Sequence, residues 1–439
     1  MTTAPTAYWQ PESECMDREE LEQLQLERLE ATLSRVYRSV PFYRKHFDEL
    51  RFDPDEVRSA RDLRRLPFTT KRDVMDAYPY GLFAVPLREV VRLHATGGTG
   101  GAAIVMGYTR NDIKTWSNLM ARNYVAAGVS ADDVVQITFD YGLFTGAFGV
   151  HYGAERLGAS VIPISSGNSK RQIKIMQDYR STVLVGTPGY LLHLVEVMGE
   201  LGVVPNQLSV KRVLLGGEPW SERRRKELEE ALHVTATAHY ALSEVLGPGI
   251  AGECLERDGL HVNEDHFLVE VLDPLTMEPV KDGDKGELVI TTLTKEAFPL
   301  VRYRTGDLTS LVEGPCRCGR TSVRIRPIEV RCDDLLVVKG VNVFPSQVEE
   351  VLRSVQGTEP NYEIVIERPH ALDEATVLVE VSESVFFDEM RKQAEFRERL
   401  MRKLASELGV HMDVKLVGKK TLERPEGKGP GNVRDLRKR

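Results

Sequence analysis

The sequence has few cysteines, few aromatic residues and no apolar run long enough to cross a membrane. Five of its 439 residues are cysteine, and aromatic residues make up 7%. A chain of this length can fill two or three ordinary hydrophobic cores, so it needs no disulfide framework. We therefore expect the cysteines to be thiols or metal ligands in a reducing compartment.

Basic charge is also in short supply. Lys and Arg number 58 against 66 Asp and Glu, which gives a formal net charge of −8. A nucleic-acid binder usually carries a basic surface, so we expect no nucleic-acid partner. The N-terminal stretch "MTTAPTAYWQPESE" lacks the basic and apolar regions of a signal peptide. The composition predicts a cytoplasmic protein without a membrane partner.

Short apolar runs alternate with helical patterns between residues 85 and 300. Runs rich in Val, Ile, Leu and Thr predict buried strands at 133–139, 159–164, 181–187, 210–217 and 235–240. Helical patterns between them cover 110–128, 169–179 and 221–233. Such alternation is typical of parallel sheets that carry helices on their faces.

The rest of the chain has different patterns. A helix is expected after Asp17, whose carboxylate can cap the first turn. Residues 268–294 alternate around turn residues, which predicts antiparallel hairpins. The composition changes after residue 332. We predict an α/β fold with a large N-terminal domain, 1–332, containing parallel sheets flanked by helices plus a β-rich subdomain, and a small α+β C-terminal domain, 333–439.

A glycine-rich segment, "TGGTGGAA" over residues 96–103, is the first candidate for a binding loop. Its backbone N–H groups and threonine hydroxyls could hold a phosphate. Ala102 and Ala103 stand where such a loop usually carries a cation. From the residues alone, phosphate binding and an ordinary hairpin turn remain equally open. We call residues 96–103 the phosphate loop.

Three later motifs follow predicted strands. They are "LLGGEPWS" at 214–221, "HYALSEVLGPG" at 239–249 and "YRTGD" at 303–307. Ligands of open parallel sheets bind at such strand ends. In this order, the motifs resemble the adenylate-forming superfamily and, within it, the phenylacetate–coenzyme A ligase family. The resemblance runs nearly end to end, through "LPFTTKRDV", "YGLFTGAFGVHYGAERLGASVIP" and "TTLTKEAFPLVRYRTGDLT".

The resemblance implies a two-step reaction on a small carboxylic acid. The acid and ATP would give acyl-AMP and pyrophosphate, and coenzyme A would then displace AMP. The implied partners are the acid, ATP and coenzyme A, with Mg²⁺ as cofactor. An aryl or arylacetic acid is the expected substrate. Relatives of this type often pair, so a homodimer is also expected.

The resemblance also implies roles for individual residues. Glu244 would bind Mg²⁺, and Asp307 would accept hydrogen bonds from the ribose hydroxyls. Lys428, in "ERPEGKGPG", would reach the α-phosphate and supply the cation that the phosphate loop lacks. The other implied nucleotide-binding residues are Thr96, Gly98, Thr99, Gly101, Gly216, Gly217, Glu218, Pro219, His239, Tyr240, Ala241, Ser243 and Arg331.

Two further roles come from the same resemblance. Asp333 matches a hinge position at which the small domain would rotate. Tyr141 and Phe144, in "FDYGLFTGAFG", match the acyl pocket and could flank an aromatic ring, or they could be core aromatics. The family loop usually reads Ser-Ser-Gly-Thr-Thr-Gly-Lys-Pro. Losing its charged contact costs about 1.5–3 kcal/mol, so a weaker ATP affinity is expected.

Cysteine spacing gives a separate hypothesis. Cys316 and Cys318 form a Cys-x-Cys turn, and Cys254 and His261 frame the loop "CLERDGLH". Three thiolates and an imidazole would suit a tetrahedral structural zinc site. The alternative is a set of unligated thiols.

Two other function classes stay open at this point. An adenylating enzyme could pass its acyl group to a carrier-protein thiol or to an amine instead of coenzyme A. A relative without catalytic activity could simply bind nucleotide.

Overall fold

The structure is a computed structural model, and it describes residues 7–96, 104–218, 220–281, 283–328, 330–332, 336–338, 341–343, 345–367, 374–386, 390–422 and 431–436. The chain divides into two compact units, Met1–Ile328 and Glu329–Arg439. Among the helices within these ranges, none has both the length and the apolar character needed to span a bilayer.

Four helices open the first unit: α1 Pro11–Glu14, α2 Arg18–Ser39, α3 Pro41–Leu50 and α4 Lys71–Asp76. Helix α2 begins after Asp17, whose carboxylate accepts a hydrogen bond from the Glu19 N–H. Capping of this kind satisfies an amide that has no partner inside the helix. The face of α2 that packs on the core carries Leu21, Leu29, Leu33 and Val36.

A two-stranded hairpin brackets the phosphate loop. Its strands are β1 Arg92–Ala95 and β2 Val105–Tyr108, which pair antiparallel. At the base of the loop, the Thr96 N–H donates to the Ile104 carbonyl at 3.0 Å, and the Ile104 N–H donates to the Thr96 hydroxyl at 3.1 Å. The hairpin therefore fixes Thr96 and Ile104 relative to each other.

The helices and strands that follow form an α/β layer. The helices are α5 Arg110–Ala126, α6 Gly146–Leu157, α7 Ser169–Asp178, α8 Pro188–Leu201 and α9 Glu222–Leu232. The strands are β3 Val134–Ile137, β4 Ser160–Ile162, β5 Val183–Gly186, β6 Arg212–Leu215 and β7 Thr235–Leu242. They pair in parallel in the order β4–β3–β5–β6–β7. All five predicted strands and the three predicted helices are confirmed.

Antiparallel strands complete the first unit. They are β8 Gly247–Glu253, β9 Leu260–Val262, β10 Phe267–Leu272, β11 Gly286–Thr292, β12 Tyr303–Thr309, β13 Leu311–Val312 and β14 Arg324–Ile325. Strands β8, β9, β14 and β13 extend the parallel strands into one nine-stranded sheet beyond β7. Strands β10, β11 and β12 pair antiparallel in a second sheet, and this confirms the predicted hairpin over 268–294.

The second unit has its own sheet and core. Its strands are β15 Val330–Arg331, β16 Leu336–Val338, β17 Val341–Val343, β18 Thr358–Glu367, β19 Glu374–Val381, β20 Asp413–Val417 and β21 Gly431–Asp435, and its helices are α10 Pro345–Arg353, α11 Glu383–Phe386 and α12 Met390–Leu408. The sheet order is β20–β19–β18–β21. Side chains from both layers meet in this core, among them Val348, Ile364, Val377, Leu400 and Leu404. The predicted α/β fold class with a small α+β unit is confirmed.

Candidate active site

The Gly-Gly-Glu segment follows directly after β6. A Cβ atom on Gly216 would lie 2.6 Å from Nε2 of His239 and 2.8 Å from its backbone oxygen, so only glycine fits there. Gly217 has a φ of +84°, a conformation that glycine adopts without strain. Oε1 of Glu218 accepts a 2.6 Å hydrogen bond from the Gly189 N–H, in the first turn of α8. These constraints fix the course of the chain at the strand end.

The end of β7 lies beside the end of β6, because Leu215 and Ala238 are partners in the parallel ladder. His239 is 6% exposed, and its burial lowers the pKa of the imidazole to about 4. The ring is therefore neutral at ordinary pH. Its Nδ1 atom is buried and, within the described part of the chain, makes no hydrogen bond.

A buried hydrogen bond joins the two sheets of the first unit. The hydroxyl of Tyr240, at the end of β7, donates to Oδ2 of Asp307 in β12. Both side chains are buried. The backbone N–H of Asp307 also donates to the hydroxyl of Thr305 at 3.0 Å. The structure thus brings together two predicted nucleotide-binding residues that are 67 positions apart in sequence.

Glu244 lies in the turn between β7 and β8. Its side chain is only 7% exposed. The Val245 and Leu246 N–H groups both donate to the Leu242 carbonyl at 3.1 Å, which shapes the turn. Among the residues that the structure describes, no group forms a hydrogen bond or an ion pair with the Glu244 carboxylate. A buried carboxylate of this kind is well suited to bind a cation.

Residues 141–145, here called the acyl segment, lie in the connection between β3 and α6. The Tyr141 hydroxyl lies 3.1 Å from Nδ1 of His151, and its ring packs edge-on against Phe148. Burial raises the pKa of Tyr141. Phe144 is 41% exposed. The Thr145 and Ser243 hydroxyls are 2.9 Å apart, so the acyl segment touches the turn that carries Glu244.

Several predicted residues cannot be added to this geometry. Gly98, Thr99, Gly101, Pro219, Asp333 and Lys428 lie outside the described residues. Arg331 lies in β15 and is half-buried. Ala241 lies in β7 and is also half-buried.

The four predicted metal ligands form one cluster. All four side chains are buried, and their ligand atoms lie within 4.8 Å of one another. The Sγ atoms of Cys254 and Cys316 are 3.7 Å apart, and Sγ of Cys318 is 3.4 Å from Nε2 of His261. Two thiolates bound tetrahedrally to one zinc ion are about 3.8 Å apart, so the sulfur separation fits that ion. The Ser322 hydroxyl lies 3.3 Å from Nδ1 of His261, where it can orient the ring.

Strand pairing explains why these residues meet. Cys254 follows β8 directly, and His261 in β9 pairs with Gly252 in β8. His261 also pairs with Arg324 in β14, which ends the loop that carries Cys316 and Cys318. The cluster is therefore built by three neighbouring strands and their connections.

Three charged or titratable groups at the β1–β2 hairpin were not indicated by any sequence pattern. Lys295 is 5% exposed, and its Nζ atom lies 3.1 Å from the centroid of the Tyr108 ring. Burial lowers the pKa of Lys295 to about 7, and nearby Asp112 opposes this shift. Arg92 and His94 lie on β1. Their position just before a glycine-rich loop was the signal that could have drawn attention to them.

Comparison with known proteins decides the family. The family model for the AMP-binding enzyme matches residues 90–294, and that for the AMP-binding enzyme C-terminal domain matches residues 340–437. The phenylacetate–coenzyme A ligase of Thermus thermophilus is 47% identical over 444 residues, covering 98% of this chain and 100% of the relative. The chain belongs to the phenylacetate–coenzyme A ligase family. The Escherichia coli phenylacetate–coenzyme A ligase is 44% identical, with 95% of both chains covered.

Solved structures agree with this phenylacetate–coenzyme A ligase assignment. The 2-hydroxyisobutyryl-CoA ligase in the postadenylation state, in complex with R3-HIB-AMP, matches with a TM-score of 0.88 and 29% identity over 99% of this chain and 94% of that chain. The same ligase in the thioesterification state, in complex with 2-HIB-AMP and CoA, matches with a TM-score of 0.72. The likeness extends over the two units.

Proposed function

We propose that this protein is an ATP-dependent ligase that joins an aryl or arylacetic acid to coenzyme A through an acyl adenylate. The observation that carries the proposal is the 44–47% identity to phenylacetate–coenzyme A ligases over nearly the whole chain. Two local features suit this proposal. They are the buried hydrogen bond between Tyr240 and Asp307 and the carboxylate of Glu244, which is available to bind a cation.

Two displacement reactions make up the proposed activity. A carboxylate oxygen of the acid attacks the α-phosphorus of ATP, and the bond from that phosphorus to pyrophosphate breaks. The sulfur of coenzyme A then attacks the acyl carbon, the bond from that carbon to AMP breaks, and the thiol proton passes to solvent. Negative charge accumulates around phosphorus in the first step, so cationic groups must offset it.

The residues divide this work by their chemistry. Asp307 would accept hydrogen bonds from the ribose hydroxyls, with Tyr240 holding its carboxylate in place. Glu244 would hold Mg²⁺, whose charge would offset that of the phosphates. Lys428 would supply a second cation from the second unit. The phosphate loop would contribute backbone N–H groups and hydroxyls only, because its sequence has no lysine.

The remaining assignments belong to the same proposal. The strand-end residues Gly216–Glu218 and His239 would line the nucleotide site, with Arg331 near the ribose. Asp333 would be the hinge between domains 1–332 and 333–439. Tyr141 and Phe144 would flank the aromatic ring of the acid, since flat rings pack well against each other.

An acid panel tests the function. The purified protein is given ATP, Mg²⁺ and benzoic, arylacetic or aliphatic acids, and pyrophosphate release is measured with and without coenzyme A. We expect release with aryl or arylacetic acids, together with an acid–coenzyme A thioester in the product mixture. Acetate and acid-free reactions are the controls.

Other outcomes of the panel would contradict the proposal in distinct ways. Release that proceeds with a carrier protein or an amine, but yields no coenzyme A thioester, would favour an enzyme with a different acceptor. Tight AMP binding without release from any acid would indicate a nucleotide-binding protein without this catalytic activity.

A structural zinc ion is the second proposal. Cys254, His261, Cys316 and Cys318 supply the donors that zinc prefers, at separations that fit its tetrahedron. The loop around Cys318 also holds the N-terminal segment. The Tyr8 hydroxyl donates to the Cys318 carbonyl at 2.7 Å, and the Arg320 guanidinium donates to Glu14.

The prediction for this cluster is that Cys318→Ser loses bound zinc. A hydroxyl is a poor substitute for a thiolate, so zinc content should fall from about one per chain to near zero. We expect the melting temperature to fall by about 5–10 °C, and trypsin to cleave near Arg18 or Arg320 faster than in the wild type. Elemental analysis, thermal unfolding and timed proteolysis measure these effects.

Cys332→Ser is the matched control, because it makes the same chemical change outside the cluster. It should keep both zinc and protease resistance. Equal zinc content in the two variants would refute the assignment.

A homodimer and a cytoplasmic location are further parts of the proposal. All five cysteines lie in the described residues and are free of disulfides, which suits a reducing compartment. Size-exclusion chromatography with light scattering would test the dimer.

A further inference from the structure

His94 lies in β1, two residues before the base of the phosphate loop. Its side chain is 2% exposed. The ring is fixed by three aromatic neighbours: its centroid lies 5.4 Å from that of Tyr108, 6.0 Å from that of Trp116 and 5.4 Å from that of Phe148. A ring packed in this way has one orientation, so the position of each ring nitrogen is defined.

Nδ1 of His94 points to a backbone carbonyl of the acyl segment. It lies 3.0 Å from the oxygen of Leu143, and the Ala95 N–H donates to the same oxygen at 2.9 Å. Because a carbonyl only accepts hydrogen bonds, Nδ1 must carry a proton. Two consecutive residues of β1 therefore donate to a single carbonyl.

The other ring nitrogen explains why the proton stays on Nδ1. Nε2 of His94 is buried and has no hydrogen-bond partner in the described part of the chain. The pKa of the imidazole is lowered to about 4, mainly by burial and also by the neighbouring Arg92 and Lys295, while the hydrogen bond to Leu143 opposes this shift. The ring is neutral and carries one proton, and the Leu143 carbonyl selects the tautomer.

The acyl segment is held at two points that belong to different parts of the site. Leu143 is fixed through its carbonyl, since its side chain is 67% exposed. Thr145 is in contact with Ser243, which precedes Glu244 in the chain.

Thr96, next to Ala95, forms the base of the phosphate loop with Ile104. A shift of the loop base would therefore pull on the acyl segment through β1.

We propose that His94 is a positioning residue that links the phosphate loop to the acyl segment, so that ATP and the acid strengthen each other's binding. This inference rests on the proposed function, because it requires both ligands to bind this unit. Binding of phosphate would fix the loop base, and the two hydrogen bonds to Leu143 would fix the carbonyl that places Tyr141 and Phe144. The coupling is reciprocal, as any coupling between two equilibria must be.

Two substitutions of similar size test the link. In His94→Asn, the amide nitrogen is attached to Cγ as Nδ1 is, so it can still donate to Leu143. In His94→Leu, the side chain has nearly the same shape as that of asparagine but has no hydrogen-bond donor. Both variants leave a similar void among the aromatic rings, so loss of ring packing should affect them similarly, and the hydrogen bond to Leu143 is what distinguishes them.

The measurement is the dissociation constant of an arylacetic acid, with and without a non-hydrolysable ATP analogue and Mg²⁺, by calorimetry. We expect the analogue to tighten acid binding about tenfold in the wild type and in His94→Asn. In His94→Leu, the factor should fall to about one to three. The melting temperatures of the two variants should agree to within a few degrees.

Hydrogen–deuterium exchange provides a readout that needs no acid. The amides of residues 92–96 and 139–146 should exchange faster in His94→Leu than in His94→Asn. If the wild type bound no acid while this difference persisted, the proposed function would fail but the link would stand. Equal coupling and equal exchange in the two variants would overturn the inference.

Discussion

Replacing Lys428 by alanine is expected to abolish acyl-AMP formation while sparing the second half-reaction. The phosphate loop lacks a lysine, so Lys428 is the cation that the proposed mechanism places at the α-phosphate. Loss of a positioned cation in phosphoryl transfer costs about 1,000-fold or more in rate. Thioester formation from supplied acyl-AMP involves no attack on phosphorus, so its rate should stay within about threefold. Pyrophosphate exchange and thioester formation measure the two steps separately.

Lys415→Ala is the matched control for this prediction. Lys415 is an exposed lysine on β20 of the second unit, so its loss removes the same charge from the same unit. Both half-reactions should proceed normally in this variant. If Lys428→Ala slowed both half-reactions equally, misfolding or a wrong assignment would explain the loss. If it slowed neither, the cation would have to come from another residue.

Local sequence patterns predicted the strands well, because a buried parallel strand needs little beyond a short β-branched run. Helix α6 was not predicted from the sequence, and its glycines explain why. A Cβ atom on Gly149 would lie 2.5 Å from Pro248, and one on Gly153 would lie 2.3 Å from Met120. These glycines allow α6 to pack closely on its neighbours, and that requirement weakens the helical pattern in the sequence.

The candidate site shows a similar division. Cysteine and histidine are rare, so the Cys-x-Cys turn at Cys316 and Cys318, taken with Cys254 and His261, led to the hypothesis of a metal cluster, with unligated thiols as the alternative. The contact between Tyr240 and Asp307 depends on how two sheets pack, which no local pattern encodes. Lys295 and His94 were missed for the same reason, because their surroundings come from distant parts of the chain. Sequence patterns predict clusters of rare residue types and the ends of strands better than they predict which side chains from distant parts of the chain will be in contact.

Glu244 is the residue whose change should separate activity from stability. The residue is 7% exposed and, among the described residues, its carboxylate has no hydrogen-bond or ion-pair partner. It also lies near the Tyr108 phenol, whose pKa is raised mainly by burial and further by Asp112 and Glu244. Burying an unpaired charge costs free energy of folding, so this position is unfavourable in the protein without ligands. A cation that binds there would recover that cost.

Glu244→Gln keeps the shape of the side chain and removes the charge. We expect the melting temperature without ligands to stay constant or rise, while acid-dependent pyrophosphate exchange falls about 100-fold and requires more Mg²⁺. Glu200→Gln, which removes a charge from an exposed position on α8, should change neither quantity. Thermal unfolding and exchange rates over a range of Mg²⁺ concentrations measure both effects. A lower melting temperature with an unchanged Mg²⁺ requirement would mean that Glu244 supports the fold and does not hold the cation.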